Sequence, residues 1–463
     1  MPIELRLSEC AEAIEGEVLP KGAEGSFSGV TTDSREISPG MLFVARVGEE
    51  SDGHKHVGEA FQAGAAACIV AKGRADQSSG PLIAVDDPDQ ALASLAIYWR
   101  QKLSLPTIAV TGSNGKTTTK EILRAVLQAL KGPGTANIKS YNNFIGLPQT
   151  ILGSSEGDKW MVLEVGMNHA GEISNLAPIA KPDVAILLNV APVHYEFFSS
   201  LDDIADAKCE LLEGLSGPAV VNADNPFLLS AIERAEKRLG KQFQQIHFGT
   251  NLEAEYRLHS TQLTEEGTCE FMFSVEGETF DVVLPLLGKH NAYNALAAIA
   301  ASRVLFPELA VAEICEALKE SRPAAMRLER IQVGEVTILS DCYNANPNAL
   351  KGGLEVASRL GGETGFVAVL GDMLELGDES QRYHSEAGAL AVEFGAKGIV
   401  TLGSFKENVA QGAREAGLEN VHTVSSSEEA VQQASREESS VIFVKASRGM
   451  RLERVVEGLK RKL

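Results

Sequence analysis

Apolar positions along the 463 residues fall into three successive rhythms. In the first 102 residues, short apolar runs at 41–45, 67–70 and 82–85 alternate with helical stretches, ending in an amphipathic segment at 90–102. Pro106 opens a second unit, with a buried strand predicted at 107–110, a glycine-rich turn, and a helix from Thr117. In that helix Ile122, Leu123, Val126, Leu127 and Leu130 share one face. Further apolar runs at 160–165, 184–190 and 219–222 keep the beat of a parallel α/β sheet. Residues 252–287 break that beat, because 256–259, 269–275 and 279–284 read as antiparallel hairpin strands before a long alanine-rich helix after Gly288. Beyond Arg322-Pro323 the rhythm restarts: runs at 336–339, 366–370, 398–402 and 441–444 alternate with helices at 349–360, 380–394 and 406–416. The predicted fold class is therefore α/β in three domains. These are a small α/β unit at 1–102, a central parallel-sheet unit carrying a phosphate loop at 103–322, and a doubly wound, Rossmann-like unit at 323–463.

Composition narrows the function classes. Hydrophobic residues at 44% and charged ones at 23% fit a globular protein rather than a disordered or fibrous one. A formal net charge of −21 lacks the basic footprint of a nucleic-acid or anionic-membrane binder. The longest apolar runs, at 65–71 and 295–301, are too short to span a bilayer. The first twenty residues carry Glu4, Glu9, Glu12, Glu15 and Glu17 and no leader-like apolar core. Six cysteines (10, 68, 209, 269, 315 and 342) include no Cys-x-x-Cys pair, which argues against a zinc ribbon, a redox motif or a disulfide scaffold. The expectation is a reduced, cytoplasmic protein with no nucleic-acid or membrane partner.

The strongest chemical signal is Thr111-Gly112-Ser113-Asn114-Gly115-Lys116-Thr117-Thr118, set between a strand and a helix. Glycines there let backbone N–H groups converge on phosphate oxygens, and the helix N-terminus adds positive potential. Lys116 would reach the β- and γ-phosphates, and a Thr117 or Thr118 hydroxyl would join a Mg²⁺ shell. Val110 stands where the longer G-x-x-x-x-G-K-[ST] form has its first glycine, so the motif is the shorter G-x-x-G-K-T. Glu164 and His194 each follow an apolar strand beside this loop, where a buried carboxylate is costly unless paired or metal-bound. Both are candidate metal ligands. Lys208, by its residue neighbours alone, reads as a solvated helical lysine. His54 and His56 read as loop residues, and the glycines at 361, 362 and 365 precede a strand and so form no dinucleotide fingerprint. Asn137, Asn142 and Asn143 crowd a loop, which suits either polar-substrate recognition or turn formation. Asp341 and Asn344-Ala345-Asn346-Pro347 sit where a strand gives way to a helix, a ligand-facing place.

Together these pieces resemble the Mur ligase family, ATP-dependent amide-forming enzymes of peptidoglycan assembly, over nearly the whole chain. The phosphate loop, Tyr141-Asn142-Asn143-Phe144-Ile145-Gly146-Leu147-Pro148, Glu164-Val165-Gly166-Met167-Asn168-His169-Ala170-Gly171-Glu172-Ile173, the segment 189–196, Gly288-Lys289-His290-Asn291, Arg327-Leu328-Glu329 and Asp341-Cys342-Tyr343-Asn344-Ala345-Asn346-Pro347 all match family segments. Thr32-Asp33-Ser34-Arg35 is similar to the family's uridine-nucleotide domain. The resemblance implies ATP and two Mg²⁺ ions, with UDP-N-acetylmuramoyl-tripeptide and D-alanyl-D-alanine as substrates joined through an acyl phosphate by a monomer. It further implies that Lys208 is carbamylated and, with Glu164 and His194, holds the second Mg²⁺; Thr117 or Thr118 and Glu164 would hold the first. Gly112, Ser113, Asn114, Gly115, Lys116, Thr117 and Thr118 would hold the phosphates, Asn291 the adenine, and Arg327 and Asp341 the far side of the nucleotide. Lys116, His194, Lys208 and Arg327 would carry the catalysis. Ser34 and Arg35 would hold the uridine-diphosphate end, with Asn142, Asn143, Asn344 and Asn346 toward the other substrate groups. Two alternatives stand beside this: a folylpolyglutamate synthase-like ligase, and a phosphate-loop ATPase switch without ligase chemistry.

Overall fold

The computed structural model describes residues 3–48, 51–74, 80–138, 141–192 and 196–463. Three main sheets divide the chain. The first, of five strands, runs in spatial order Glu17–Leu19, Leu82–Val85, Ala67–Ala71, Leu42–Val44 and Val30–Thr31, parallel except for its first strand. The helix Pro88–Leu103 leads out of this unit. Asp87 caps it through Asp89 N–H at 2.8 Å, and Pro88 fills the first turn. Apolar packing passes without a break from Ile3, Leu92 and Trp99 to Leu147, Leu163 and Leu176 of the next unit.

The central sheet has nine strands, and its middle decides where chemistry can occur. Val184–Leu187, Thr107–Thr111 and Met161–Glu164 are parallel neighbours, with Thr107–Thr111 between the other two. From Thr107–Thr111 the chain first builds toward one edge through Met161–Glu164. It then crosses back to Val184–Leu187, Ala219–Asn222 and Gln245–Gly249 on the other side. This reversal opens a crevice at the carboxyl ends of the strands, the place where open α/β sheets bind ligands. The predicted hairpin strands form as Tyr256–Leu263, Thr268–Val275 and Glu278–Leu287. They extend the same sheet instead of standing apart, because Phe248 and Gly249 pair in parallel with Tyr256 and Arg257.

The third sheet has six strands in the order Glu329–Val333, Val336–Asp341, Val441–Lys445, Phe366–Leu370, Ala396–Leu402 and Val421–Val424. Five are parallel; the edge strand Glu329–Val333 is antiparallel. The pattern reading missed that edge strand and Val421–Val424, whose side chains are mostly only half-buried, so neither shows an unbroken apolar run. The last strand in the chain, Val441–Lys445, lies between the first two parallel ones, so this sheet also reverses direction at its middle. Helices cover both faces, giving two apolar layers around residues such as Leu354 and Phe443 on one side and Ile442 and Val455 on the other. Among the described residues, no helix is long and apolar enough to cross a membrane.

Candidate active site

The two reversal points face one another across a cleft of about 630 Å³. One wall is the phosphate loop. Its strand Thr107–Thr111 is wholly buried, and the helix Lys116–Lys131 starts one residue earlier than the periodicity suggests. Gly112 and Gly115 take φ of +156° and +85°, and a Cβ on Gly115 would lie 2.2 Å from Asn294 Oδ1, so no larger residue fits there. Asn189 grips the loop from the neighbouring strand end: its Oδ1 accepts Asn114 N–H at 2.9 Å and its Nδ2 donates to Asn114 C=O at 3.1 Å. Lys116 Nζ lies over the loop and donates to Gly112 C=O at 2.7 Å. The motif is thus held open by side chains on an adjacent strand, with Ser113, Thr117 and Thr118 also lining the cleft.

Glu164 ends its strand beside this loop and is 1% exposed. Thr117 Oγ1 donates to its Oε2 at 2.8 Å and Asn142 Nδ2 to its Oε1 at 2.8 Å. No lysine, arginine or histidine pairs with this carboxylate among the described ion pairs. Asn137 supports it from behind, accepting Glu164 N–H at 2.5 Å and donating to Glu164 C=O at 3.3 Å. A buried carboxylate held by neutral donors alone suits a hard divalent cation.

Lys208 corrects the residue-level expectation of a solvated side chain. It is 2% exposed, on the inner face of the helix Leu201–Cys209 with Ile204 and Ala205. Burial, and next the positive charge of Lys116, push its amine well below the ordinary lysine range. Local sequence could not show this, since polar Asp202, Asp203 and Asp206 mark the outer face of the same short helix.

The opposite wall comes from the third unit. Arg327 reaches across the cleft and its Nη2 donates to Thr117 Oγ1 at 3.0 Å, while its guanidinium stacks 4.2 Å from the Tyr343 ring centroid. Asp341 accepts Leu328 N–H at 3.2 Å and pairs with Lys445 Nζ, which also donates to Asn344 C=O at 3.1 Å. Lys445 went unnoticed in the sequence. Its signal was a lysine ending the apolar run 441–444, the same logic that singled out Glu164. Asn291 lies in the cleft on the central unit's side and donates to Leu287 C=O at 2.8 Å. Beside it, burial lowers the pKa of His290 and favours a neutral imidazole.

Of the other named residues, Asn142, Asn344 and Asn346 line the cleft and the remaining described ones lie outside its lining. Asn143 points away from the cleft's interior: its Oδ1 accepts Ile145 and Gly146 N–H at 3.2 and 2.9 Å, the turn-forming role. Asn142 takes neither branch of that expectation, since its amide holds the Glu164 carboxylate. Asn344 is exposed, its Oδ1 accepting the next residue's N–H, and Asn346 is buried as the cap of the helix Pro347–Gly361. Ser34 and Arg35 lie on a short 3₁₀ turn of the first unit, apart from the cleft, with Arg35 chelating Asp33 at 2.6 and 2.8 Å. His54 is on a short 3₁₀ turn and anchors it through Asp52 and Ala71 N–H, with His56 at its end. His194 lies outside the described residues.

Comparison with known proteins follows this geometry. The middle domain of Mur ligases matches residues 110–302, the glutamate ligase domain of Mur ligases matches 326–448, and the Mur ligase catalytic domain matches 26–100. The chain is 34% identical to UDP-N-acetylmuramoyl-tripeptide–D-alanyl-D-alanine ligase of Bacillus subtilis, over 99% of this chain and 98% of that one. Among solved structures, MurF of Acinetobacter baumannii superposes with a TM-score of 0.89 at 27% identity, covering 100% of both chains. MurF of Thermotoga maritima in complex with ADP gives 0.79 at 28% identity, covering 94% of this chain and 97% of that one. With each segment of the cleft and the full length accounted for in this way, the chain belongs to the Mur ligase family.

Proposed function

We propose that this protein is an ATP-dependent, ADP-forming ligase that adds D-alanyl-D-alanine to UDP-N-acetylmuramoyl-tripeptide, giving the pentapeptide precursor of peptidoglycan. One observation carries the reading. A phosphate loop, a buried carboxylate held by Thr117 and Asn142, and an arginine from the facing unit all line a single cleft, and the buried amine of Lys208 lies near enough to feel the charge of Lys116. Similarity to the dipeptide-adding relative runs through the first sheet as well, which favours a uridine-nucleotide substrate over a folate.

The phosphates of ATP rest on the amides of Gly112 to Thr118, with Lys116 turning from the Gly112 carbonyl to the β- and γ-oxygens. Glu164 with Thr117 or Thr118 would hold one Mg²⁺, and Glu164 with His194 and Lys208 a second; such ions would supply charge neutralisation for the transferring phosphoryl group. For Lys208 to serve there, its neutral amine would take up CO₂ with loss of a proton and so offer an oxygen donor; the lowered pKa favours that neutral amine. Arg327 stabilises the same charge from the opposite wall. The tripeptide carboxylate attacks the γ-phosphorus, ADP departs, and the dipeptide amine attacks the acyl carbon so that phosphate leaves. Asn291 meets the adenine, and Asp341, held by Lys445, the far side of the nucleotide. Ser34 and Arg35 take the uridine-diphosphate end. Closure of the third unit keeps water from the acyl phosphate. Labelling the tripeptide carboxylate with ¹⁸O tests the route: one labelled oxygen should appear in the released phosphate. Unlabelled phosphate would exclude the acyl-phosphate step.

A further inference from the structure

Two asparagines on opposite walls of the cleft share a hydrogen bond that the chemistry above does not use. Asn346 Nδ2 donates to Asn114 Oδ1 at 2.8 Å, across 232 positions of sequence. The orientation of Asn346 is fixed by its other partner. Its Oδ1 accepts Ala349 N–H at 2.9 Å as the cap of Pro347–Gly361, so the amide nitrogen must face the phosphate loop. Asn114 is held just as firmly, since Asn189 grips both its N–H and its C=O. Asn346 is 3% exposed and Asn114 half-buried, so this bond is partly shielded from water. Other contacts between the two units differ in kind. Arg327 with Thr117 belongs to the reaction, while the Lys289–Glu355 ion pair, with side chains 40% and 33% exposed, and the exposed Arg359 to Thr264 C=O bond sit on the rim, where solvent weakens them.

We propose that Asn346 is a positioning residue, a latch that closes the third unit onto the phosphate loop and so sets Arg327 and Asp341 over the nucleotide. A neutral amide bond suits a latch, being strong enough to bias closure and weak enough to open for product release. Because Asn114 belongs to the loop itself, the latch engages only when the loop is correctly curled. The kinetic part of this proposal rests on the ligase reading, but its structural part does not.

The test is a double-mutant cycle. Asn346→Ser keeps an oxygen able to cap the helix but is too short to reach Asn114; Asn114→Ala leaves the backbone grip of Asn189 in place. Each single change should lower kcat/KM for D-alanyl-D-alanine about three- to tenfold at saturating ATP and tripeptide nucleotide. The double variant should lose no more than the larger single loss, because both remove one contact. Small-angle scattering of the full chain with Mg²⁺ and ADP should show a larger radius of gyration for Asn346→Ser than for wild type, at equal melting temperature. Losses that multiply in the double variant, or scattering curves that superpose, would overturn the latch. A wild type with no dipeptide-dependent turnover would instead count against the ligase reading, and scattering alone would then decide the latch.

Discussion

Replacing Lys208 by methionine should raise stability while destroying activity. The side chain is 2% exposed, and no acceptor among the described residues pairs with its Nζ. Holding a lysine amine in that interior costs desolvation, and methionine, of nearly the same length, fills the space without that cost. Titration sets the size of the difference. The folded-state pKa lies well below the unfolded one, so folding expels a proton between those two values. Each pH unit below about 10.4, down to the folded pKa, then removes up to about 1.4 kcal/mol from the wild type and nothing from the variant. The gap at pH 7 should therefore be at least about 1 kcal/mol, or roughly 2–4 °C for a unit of this size, and should narrow toward pH 9.5. Calorimetry of the ligand-free chain under CO₂-free buffer measures it. Adding bicarbonate should stabilise the wild type and leave the variant unmoved, and turnover of the variant should be undetectable. A variant that melts below wild type at pH 7, a gap independent of pH, or near-normal turnover would each end the argument for a buried neutral amine awaiting CO₂.

Other consequences are equally accessible. Glu164→Gln leaves one of the Thr117 and Asn142 donors facing an NH₂ group instead of an accepting oxygen; ATP-dependent turnover should fall by about a hundredfold or more, with unchanged circular dichroism. Asn142→Ala and Asn143→Ala should separate cleanly in steady-state kinetics and melting. The first should cut kcat about tenfold by freeing a bond to the Glu164 carboxylate, and the second should cost about 1 kcal/mol of stability with kcat nearly intact. His384 is buried, with Nε2 accepting Met373 N–H at 2.9 Å and Nδ1–H donating to Ser380 C=O at 2.6 Å. Burial lowers its pKa, so its contribution is present above about pH 6.5 and lost as pH falls through the lower folded value. The melting temperature of wild type should thus drop between pH 6.5 and 5 more steeply than that of His384→Gln.

The sequence pattern located the parts of this fold whose physics is local. Strands buried on both faces, such as Phe366–Leu370 and Ala219–Asn222, show as unbroken apolar runs with their observed limits. Half-buried strands at a sheet edge, such as Glu329–Val333, carry no such signature. The phosphate loop was readable because glycines, a lysine and threonines must sit next to one another in sequence to do that work. Glu164 was readable because a charge inside an apolar run demands a reason. The burial of Lys208 and the bond made by Asn346 were not, since they depend on what the fold packs against them: a second lysine for one, an asparagine 232 residues away for the other. Lys445 lay between these cases. Its position at a strand end was visible, but its partner Asp341, 104 residues earlier, becomes a neighbour only once Val441–Lys445 inserts beside Val336–Asp341.

The net charge of −21 also takes on meaning once the cleft is known. Each proposed substrate carries an anionic group, so the general field slows their approach and binding depends on loop amides, Lys116, Arg327 and bound cations. The central claim is that this cleft couples ATP cleavage to joining a nucleotide-linked peptide with a dipeptide. Phosphate release in the presence of Mg²⁺ and ATP measures it most directly. The account predicts rapid release only when UDP-N-acetylmuramoyl-tripeptide and D-alanyl-D-alanine are both present, with ADP and the pentapeptide formed in equal amounts. Release that proceeds at the same rate without either acceptor, or that yields AMP, would show that the cleft does something else.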